Sequence, residues 1–286
     1  MSKVLVTGAG GQLGRELMDA FGPAGAVGLD HAALDVADRE HVLQAVGAVR
    51  PTTIVHAAAW TDVDGCQLDP DRAYQVNALG TRHVAEAARL VGARVVYIST
   101  DYVFDGMANR PYNEWDAPNP LSVYGHSKLG GEAELSGEDT VVRTSWVCGR
   151  HGRNFAKTVL GRARAGEALR VVDDQYGCPT FADDLAAMVR RLAVARLPGV
   201  YHVTNQGVTN WYGFACDIVA AAGLDPAQVT PICSGELDPP RPAPRPHYAV
   251  LDNAALRLSG VPLLPDYHES LERLVEASSR SGPHGP

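Results

Sequence analysis

Across the first half of the chain, short apolar runs bounded by glycine, proline or aspartate alternate with longer stretches whose apolar residues recur every three to four positions. Short continuous apolar runs are the pattern of strands covered on both faces, and the longer periodic stretches are amphipathic helices. On this pattern strands are predicted at residues 3–7, 26–29, 53–57, 95–98 and 141–147. Helices follow at 15–21, from an Asp38 N-cap to about residue 50, from Asp69-Pro70-Asp71 to Leu90, and over the segment containing Tyr124. Such alternation predicts an α/β fold with a doubly wound parallel sheet of the Rossmann type and right-handed crossovers. Asn77 interrupts the buried side of the third helix, either as a satisfied core group or as a support for neighbouring strand ends.

Beyond Val147 the alternation weakens. Helices are expected at 151–166, 183–196 and 211–222 and strands at 169–173 and 200–204, with irregular loops at 106–120 and 239–246. Residues 1–150 with about 169–205 are therefore expected to form the dinucleotide-binding domain. Residues 151–168 and 206–277 would form a smaller C-terminal substrate-binding lobe over the sheet's carboxyl edge. The polar stretch 278–286 is expected to be disordered.

Bulk composition narrows the functions available. Apolar content of 45% and charged content of 20% in 286 residues fit a globular protein, without the long apolar run of a membrane span. A net charge of −8 argues against a nucleic-acid surface but leaves room for a local basic pocket. Arg241 and Arg245, four apart in the 239–246 loop, are either such a pocket for phosphates or a solvated linker. The five cysteines are widely spaced with no C-x-x-C pair, so neither a disulfide framework nor a zinc site is indicated and a reducing cytoplasm fits. Val4-Leu5-Val6 is too short an apolar run for a signal peptide. Among the 25 basic residues only Lys3, Lys128 and Lys157 are lysines.

That scarcity gives weight to Tyr124 and Lys128, which stand four apart and so on one face of a helix. A cation one turn from a phenol favours its ionisation, which makes a tyrosine usable as an acid or base near neutral pH. Gly8, Gly11 and Gly14, with Gln12 and Leu13 between them, follow the first strand and precede the first helix. There glycine permits a tight turn and close approach to a pyrophosphate, which the helix N-terminus meets with free amides. Asp30 ends the second strand, where a carboxylate would bind the ribose of NAD; His31 and Arg15 beside it could instead receive the 2′-phosphate of NADP. Asp35 and Val36 end the next apolar run, and Ala57-Ala58-Ala59 ends the third strand with small residues against which a cofactor could lie. Ser99-Thr100-Asp101 places hydroxyls and a carboxylate at the carboxyl end of the fourth strand. A dinucleotide beside a hydroxyl donor and an activated tyrosine points to hydride transfer at a carbonyl carbon, with NADPH or NADH as cofactor.

The glycine loop together with Tyr124-x-x-x-Lys128 resembles the extended short-chain dehydrogenase/reductase superfamily. Within it, Gly10 to Gly14, Ser99 to Gly106, Arg143 to Val147 and Asn154 to Lys157 resemble the dTDP-4-dehydrorhamnose reductase family. So do Asp174-Gln175, Gly177, Pro179-Thr180, Arg241-Pro242 and Arg245-Pro246, and the likeness spans residue 3 to about 275. The resemblance implies reduction of the C4 ketone of dTDP-4-dehydro-6-deoxy-L-mannose to dTDP-L-rhamnose. It implies Tyr124 as proton donor, Lys128 as the residue that holds the nicotinamide ribose and lowers the tyrosine's pKa, and Thr100 as a hydrogen-bond donor to the substrate carbonyl. Asp101, Trp146 and Asn154 would contact the substrate. Trp60 and Cys148 depart from the family's usual residues at positions expected to border the pocket. Some members bind Mg2+ at a dimer contact, which admits a homodimer here, but Glu16 alone near that position does not make a metal site. Asp101-Tyr102 stands where dehydratases carry an Asp-Glu pair and argues against that activity. A nucleotide-sugar epimerase, and a non-catalytic NADP-binding partner of methionine adenosyltransferase, remain the alternatives.

Overall fold

In the computed structural model, which describes residues 3–280, the predicted alternation is realised as a sheet of six parallel strands. In chain order its elements begin with β1 (Val4–Thr7), α1 (Gln12–Phe21), β2 (Ala26–Leu29), α2 (Arg39–Val49) and β3 (Thr53–His56). They continue with α3 (Val63–Leu68), α4 (Pro70–Tyr74), α5 (Gly80–Val91), β4 (Arg94–Thr100), α6 (Val123–Glu132) and β5 (Thr140–Thr144). Across the sheet the order is Gly199–His202, β5, β4, β3, β1, β2, and every pairing is parallel. Leu5 and Ile54 face one layer while Val4, Val6 and Val55 face the other, so the unbroken apolar runs are explained by helices on both faces. Asp38 caps α2 as expected, its carboxylate accepting the His41 amide.

The remaining helices are α7 (Phe155–Arg164), α8 (Ala182–Ala195), α9 (Trp211–Ala221), α10 (Ala254–Leu258) and α11 (Tyr267–Arg280). Helix α8 packs with α1 on one face of the sheet, whereas α7, α9 and α11 share a separate core built on Leu160, Phe214, Ile218 and Leu271. That second core gathers residues of the C-terminal half of the chain.

Four expectations need correction. The strand predicted over 141–147 ends at Thr144, because Trp146 takes a left-handed φ of 46° and turns the chain; Val147–Cys148 then pairs with Thr180–Phe181 instead. The helix expected over 151–166 begins only at Phe155, after a turn with Gly152 at φ 67°, and Asn154 caps it. Leu169–Val172 pairs with Val229–Ile232 and not with the main sheet, so this stretch, grouped by sequence with the nucleotide-binding domain, lies with the lobe's core. Helix α11 continues through 278–280, which were expected to be disordered, because Ser278 and Ser279 return hydroxyl bonds to the Leu274 and Val275 carbonyls; 281–286 lie outside the described residues. The long helix from Pro70 to Val91 is present, with a π-helical turn at Gln75–Leu79 between α4 and α5.

Candidate active site

Helix α6 starts where the Ser122 hydroxyl accepts the Gly125 amide, and Gly125 lets it press against the turn after β4. A Cβ at Gly125 would lie 2.1 Å from the Tyr102 carbonyl oxygen, so only glycine allows this approach. The approach places Tyr124 and Thr100 on the wall of one cleft. Thr100 Oγ1 also donates to Asp101 Oδ1 at 3.0 Å, and Ser145 Oγ donates to Asp101 Oδ2 at 3.0 Å. One turn below Tyr124, Lys128 Nζ donates to the Ile98 carbonyl at 2.7 Å and lies 4.0 Å from the centroid of the Tyr97 ring. Tyr124, Lys128, Thr100 and Asp101 are all buried.

Burial sets the electrostatics of this group. It pushes the Asp101 carboxyl up to about 7 despite two hydroxyl donors, and the Lys128 ammonium down to about 7 against the opposing pull of Glu132. Burial also pushes Tyr124 well above the usual phenol range, reinforced by the Asp101 charge and only partly opposed by Thr100. The lowering that the sequence leads one to expect from Lys128 is therefore outweighed by desolvation, since the amine is committed to the Ile98 carbonyl and the Tyr97 ring. What results is a tyrosine held as a neutral phenol, the protonation state a proton donor needs.

The glycine turn forms the opposite end of the same cleft. Gly8 has a φ of 69°, and a Cβ there would meet the Ala58 amide nitrogen at 2.7 Å; one at Gly14 would meet the Gly8 carbonyl oxygen at 2.1 Å. β1, its turn and α1 thus close against Ala57–Ala59 with no room for side chains. Helix α1 begins after Gly11 without a side-chain cap, which leaves its first amides for an anion. The cleft has a volume of about 440 Å³. Gly8, Gly11, Gln12, Leu13 and Gly14 line it with Asn154 beside Gln12, as do Ala57 and Ala59 and the group of Thr100, Asp101, Tyr124, Lys128 and Trp146. A cradle that any Cβ would fill, ending at a free helix N-terminus, fits a dinucleotide.

Four expected cofactor contacts do not line this cleft. Ala58 packs into the core, and buried Val36 packs against Gly80. Asp35 accepts the Ala37 amide, and Asp30 accepts the Ala33 amide next to Gly10, at the outer end of β2. Arg15 Nε holds the Gly10 carbonyl at 3.2 Å, so a cation and a carboxylate flank the same glycine.

On the lobe side, Trp146 stacks on Trp211 with ring centroids 3.5 Å apart and planes 9° from parallel, and both line the cleft. Gly177 admits this stack, as a Cβ there would come 2.5 Å from the Trp146 ring. Trp211, at the start of α9, is a cleft residue the sequence reading missed; nothing local to it signals a partner 65 positions away, though Asn210 as its N-cap fixes where it emerges. Gln12 ties the two ends together, donating to the Val147 carbonyl at 2.9 Å and accepting from Asn154 at 2.7 Å. Trp60 and Cys148 do not border the cleft as expected. Arg72 covers the Trp60 ring at 4.4 Å, and Cys148 is buried in the lobe's core.

Asn77 proves to be both of the things the sequence allowed. From the π turn it accepts the Trp60 amide at 2.8 Å, donates to the Trp60 carbonyl at 3.0 Å and donates to Ser127 of α6 at 3.0 Å, so it fixes the loop after β3 to the Tyr124 helix. Asn77→Ala should lower stability by about 1–3 kcal/mol, the cost of stranding buried polar groups, measurable by urea unfolding with an unchanged m-value.

The 239–246 loop is not a solvated linker. Arg245 pairs through two nitrogens with Asp64 of α3, at 2.8 Å for the Nη2–Oδ2 contact, which holds Asp64 below the usual carboxylate range. Arg241 instead faces a second cavity of about 260 Å³, shared with Phe155, Arg162 and Trp211. Among the described residues one group has metal-ligand spacing, Glu16 with Asp19 and His151, ligand atoms within 4.8 Å of one another. The Arg150 guanidinium already bonds Glu16 twice at 2.8 Å and Asp19 at 2.6 Å, so a cation stands among these carboxylates and the residues do not fit Mg2+.

A parallel Rossmann sheet, a glycine turn opening onto α1 and a buried tyrosine–lysine pair over the carboxyl edge define a nicotinamide-dependent oxidoreductase. The chain belongs to the family described as the RmlD substrate binding domain, which matches residues 2–280. It is 40% identical over 278 residues to the dTDP-4-dehydrorhamnose reductase of Streptomyces griseus, covering 93% of this chain and 91% of that one. It is 39% identical over 268 residues to the dTDP-4-keto-6-deoxy-D-glucose reductase of Streptomyces niveus, covering 90% and 91%. Among solved structures, the dTDP-4-dehydrorhamnose reductase of Bacillus anthracis in complex with NADP superposes with a TM-score of 0.92 at 39% identity, covering 97% of this chain and all of that one.

Proposed function

We propose that the protein reduces the C4 ketone of dTDP-4-dehydro-6-deoxy-L-mannose to dTDP-L-rhamnose with NADPH or NADH, in the cytoplasm. The observation that carries this reading is that buried Tyr124, Lys128 and Thr100 line the same cleft as the glycine turn. The relatives named for dTDP-sugar reduction supply the substrate class. A nicotinamide cofactor would supply the hydride when bound, and Gly8, Gly11, Gly14, Ala57 and Ala59 would hold it, with Lys128 toward its ribose. Tyr124, kept as a neutral phenol by burial, gives its proton to the oxygen that the hydride leaves anionic, and Thr100 orients that oxygen. The Trp146–Trp211 stack walls the sugar and Asp101 offers it a polar contact, while the Asn154 side chain, bonded to Gln12, the Gly149 carbonyl and the Lys157 amide, steadies the glycine turn.

Coupled oxidation of the nicotinamide with appearance of dTDP-L-rhamnose tests the reading. Two further expectations accompany it. kcat/KM should fall as pH rises through about 7, because a buried amine with its pKa lowered to about 7 is charged below that value and neutral above it. Trp211→Ala should raise KM for the sugar nucleotide by about tenfold, the loss of one aromatic wall, with kcat less affected.

A further inference from the structure

Helix α6 carries a third ionisable residue in register with the reacting pair: Tyr124, Lys128 and Glu132 follow one another at intervals of four along one face, and the Glu132 side chain is largely covered. The Glu132 carboxylate is held by three donors from the sheet. Arg143 of β5 reaches it with Nη2 to Oε2 at 2.7 Å and Nε to Oε1 at 3.0 Å, and Ser99 of β4 donates to Oε1 at 2.5 Å. Ser99 and Arg143 are opposite one another in the β4–β5 register, so the sheet itself sets the spacing of the two donors. Both side chains of the ion pair are less than a tenth exposed, and Arg143 Nη1 has no hydrogen-bond partner. A buried ion pair of this kind is weak as a stabiliser, since its desolvation cost rivals its attraction; an apolar pair of the same volume often serves stability as well.

We propose that Glu132, fixed by Arg143 and Ser99, is a positioning residue that keeps Lys128 in its cationic form and so sets the upper pH limit of the cleft's activity. Several ionisable groups face Lys128 or its helix: Tyr124 on α6, Tyr97 on β4, Asp101 beyond β4, His56 on β3 and Arg143 on β5. Cys66 of α3 and Arg72 of α4 lie further along the helix contact. His56 carries no charge near neutral pH, because burial and then Lys128 push it down to about 3. Of all these charges only Glu132 acts on Lys128, raising it against the burial that brings it to about 7. Without the carboxylate, burial acts unopposed and lowers the amine further.

The inference rests on the reading of Lys128 as the cation of the reaction, and the lysine content lets the two be tested apart. With lysine only at 3, 128 and 157, the full-length protein labelled with 13C at lysine Cε gives a spectrum simple enough to titrate, and Lys128→Met assigns the Lys128 signal by its loss. Glu132→Gln should lower the midpoint of the Lys128 titration by about one pH unit. The double variant Glu132→Gln/Arg143→Met, which replaces the buried pair with uncharged groups and decides the matter if the single variant does not fold, should lower it in the same direction, because it too removes the carboxylate. The basic limb of the kcat/KM profile should move down with it, with activity at lower pH retained. An unchanged midpoint in the folded variants would overturn the role of Glu132. A midpoint that moved while the limb stayed in place would instead sink the reading of Lys128 as the cation of the reaction, and the link to activity with it.

Discussion

Tyr124→Phe is expected to lower kcat by about 10²–10⁴-fold, the range spanned by general acid catalysis, while affinity for reduced nicotinamide stays nearly unchanged. The substitution removes only the phenol oxygen. Tyr124 packs edge-on against Tyr102, with centroids 5.6 Å apart, and its ring lies beside Cys66 and Ala73. Phenylalanine keeps those contacts, and the neighbouring Thr100 hydroxyl retains Asp101 and the Tyr102 amide. Folding and the glycine cradle should therefore persist, and the loss should fall on the chemical step. Stopped-flow mixing of preformed enzyme–cofactor complex with substrate separates that step from binding. A variant with most of the parent's kcat would remove Tyr124 from the proton-transfer role.

Gly14→Ala is expected to act at the other end of the cleft, lowering affinity for NADPH and NADH by about a hundredfold, about 2.7 kcal/mol. The added Cβ would lie 2.1 Å from the Gly8 carbonyl oxygen and 2.7 Å from Ala9 Cα. Both contacts are with backbone, so no side chain can rotate aside. The turn must open, and the α1 N-terminus moves away from the pyrophosphate position. Gly47→Ala is the matched control. Gly47 lies within α2, where a Cβ would meet nothing within 4 Å, and alanine there should stabilise by about 0.5–1 kcal/mol through helix propensity alone. Cofactor titrations followed by nicotinamide fluorescence compare the two.

Both substitutions address features that were legible before any coordinates. Strands β1 to β4, the glycine turn and the Tyr124–Lys128 pair are each local patterns: a run of apolar residues, a spacing of glycines, two side chains one turn apart. Their convergence follows from the rule that ligands bind at the carboxyl edge of a parallel sheet. What was not legible depends on residues distant in sequence. The end of β5 at Thr144 follows from the backbone reversal at Trp146, which exists because the ring has Trp211 to stack on and Gly177 to lie against. Leu169–Val172 reads as one more strand of the main sheet until its partner Val229–Ile232 is seen. The direction of the Tyr124 shift was misjudged for a related reason. Spacing reveals that a lysine is near, but not that both groups are fully buried, and burial is the larger effect.

In the proposed reaction Lys128 holds the nicotinamide ribose, so its charge state enters the rate profile. The Asp101 carboxyl titrates in the same range, pushed up to about 7, so the acid limb of the rate profile reports the sugar pocket while the basic limb reports Lys128. An acid limb that survived Asp101→Asn unchanged would dissociate Asp101 from that limb.

The most direct test of the central claim is oxidation of NADPH, and separately of NADH, by the purified protein in the presence of dTDP-4-dehydro-6-deoxy-L-mannose, with dTDP-4-keto-6-deoxy-D-glucose as the comparison substrate. The account predicts one nicotinamide oxidised for each dTDP-L-rhamnose formed, with loss of this activity in Tyr124→Phe. No oxidation of either cofactor, by folded protein shown to bind both cofactor and sugar nucleotide, would contradict it.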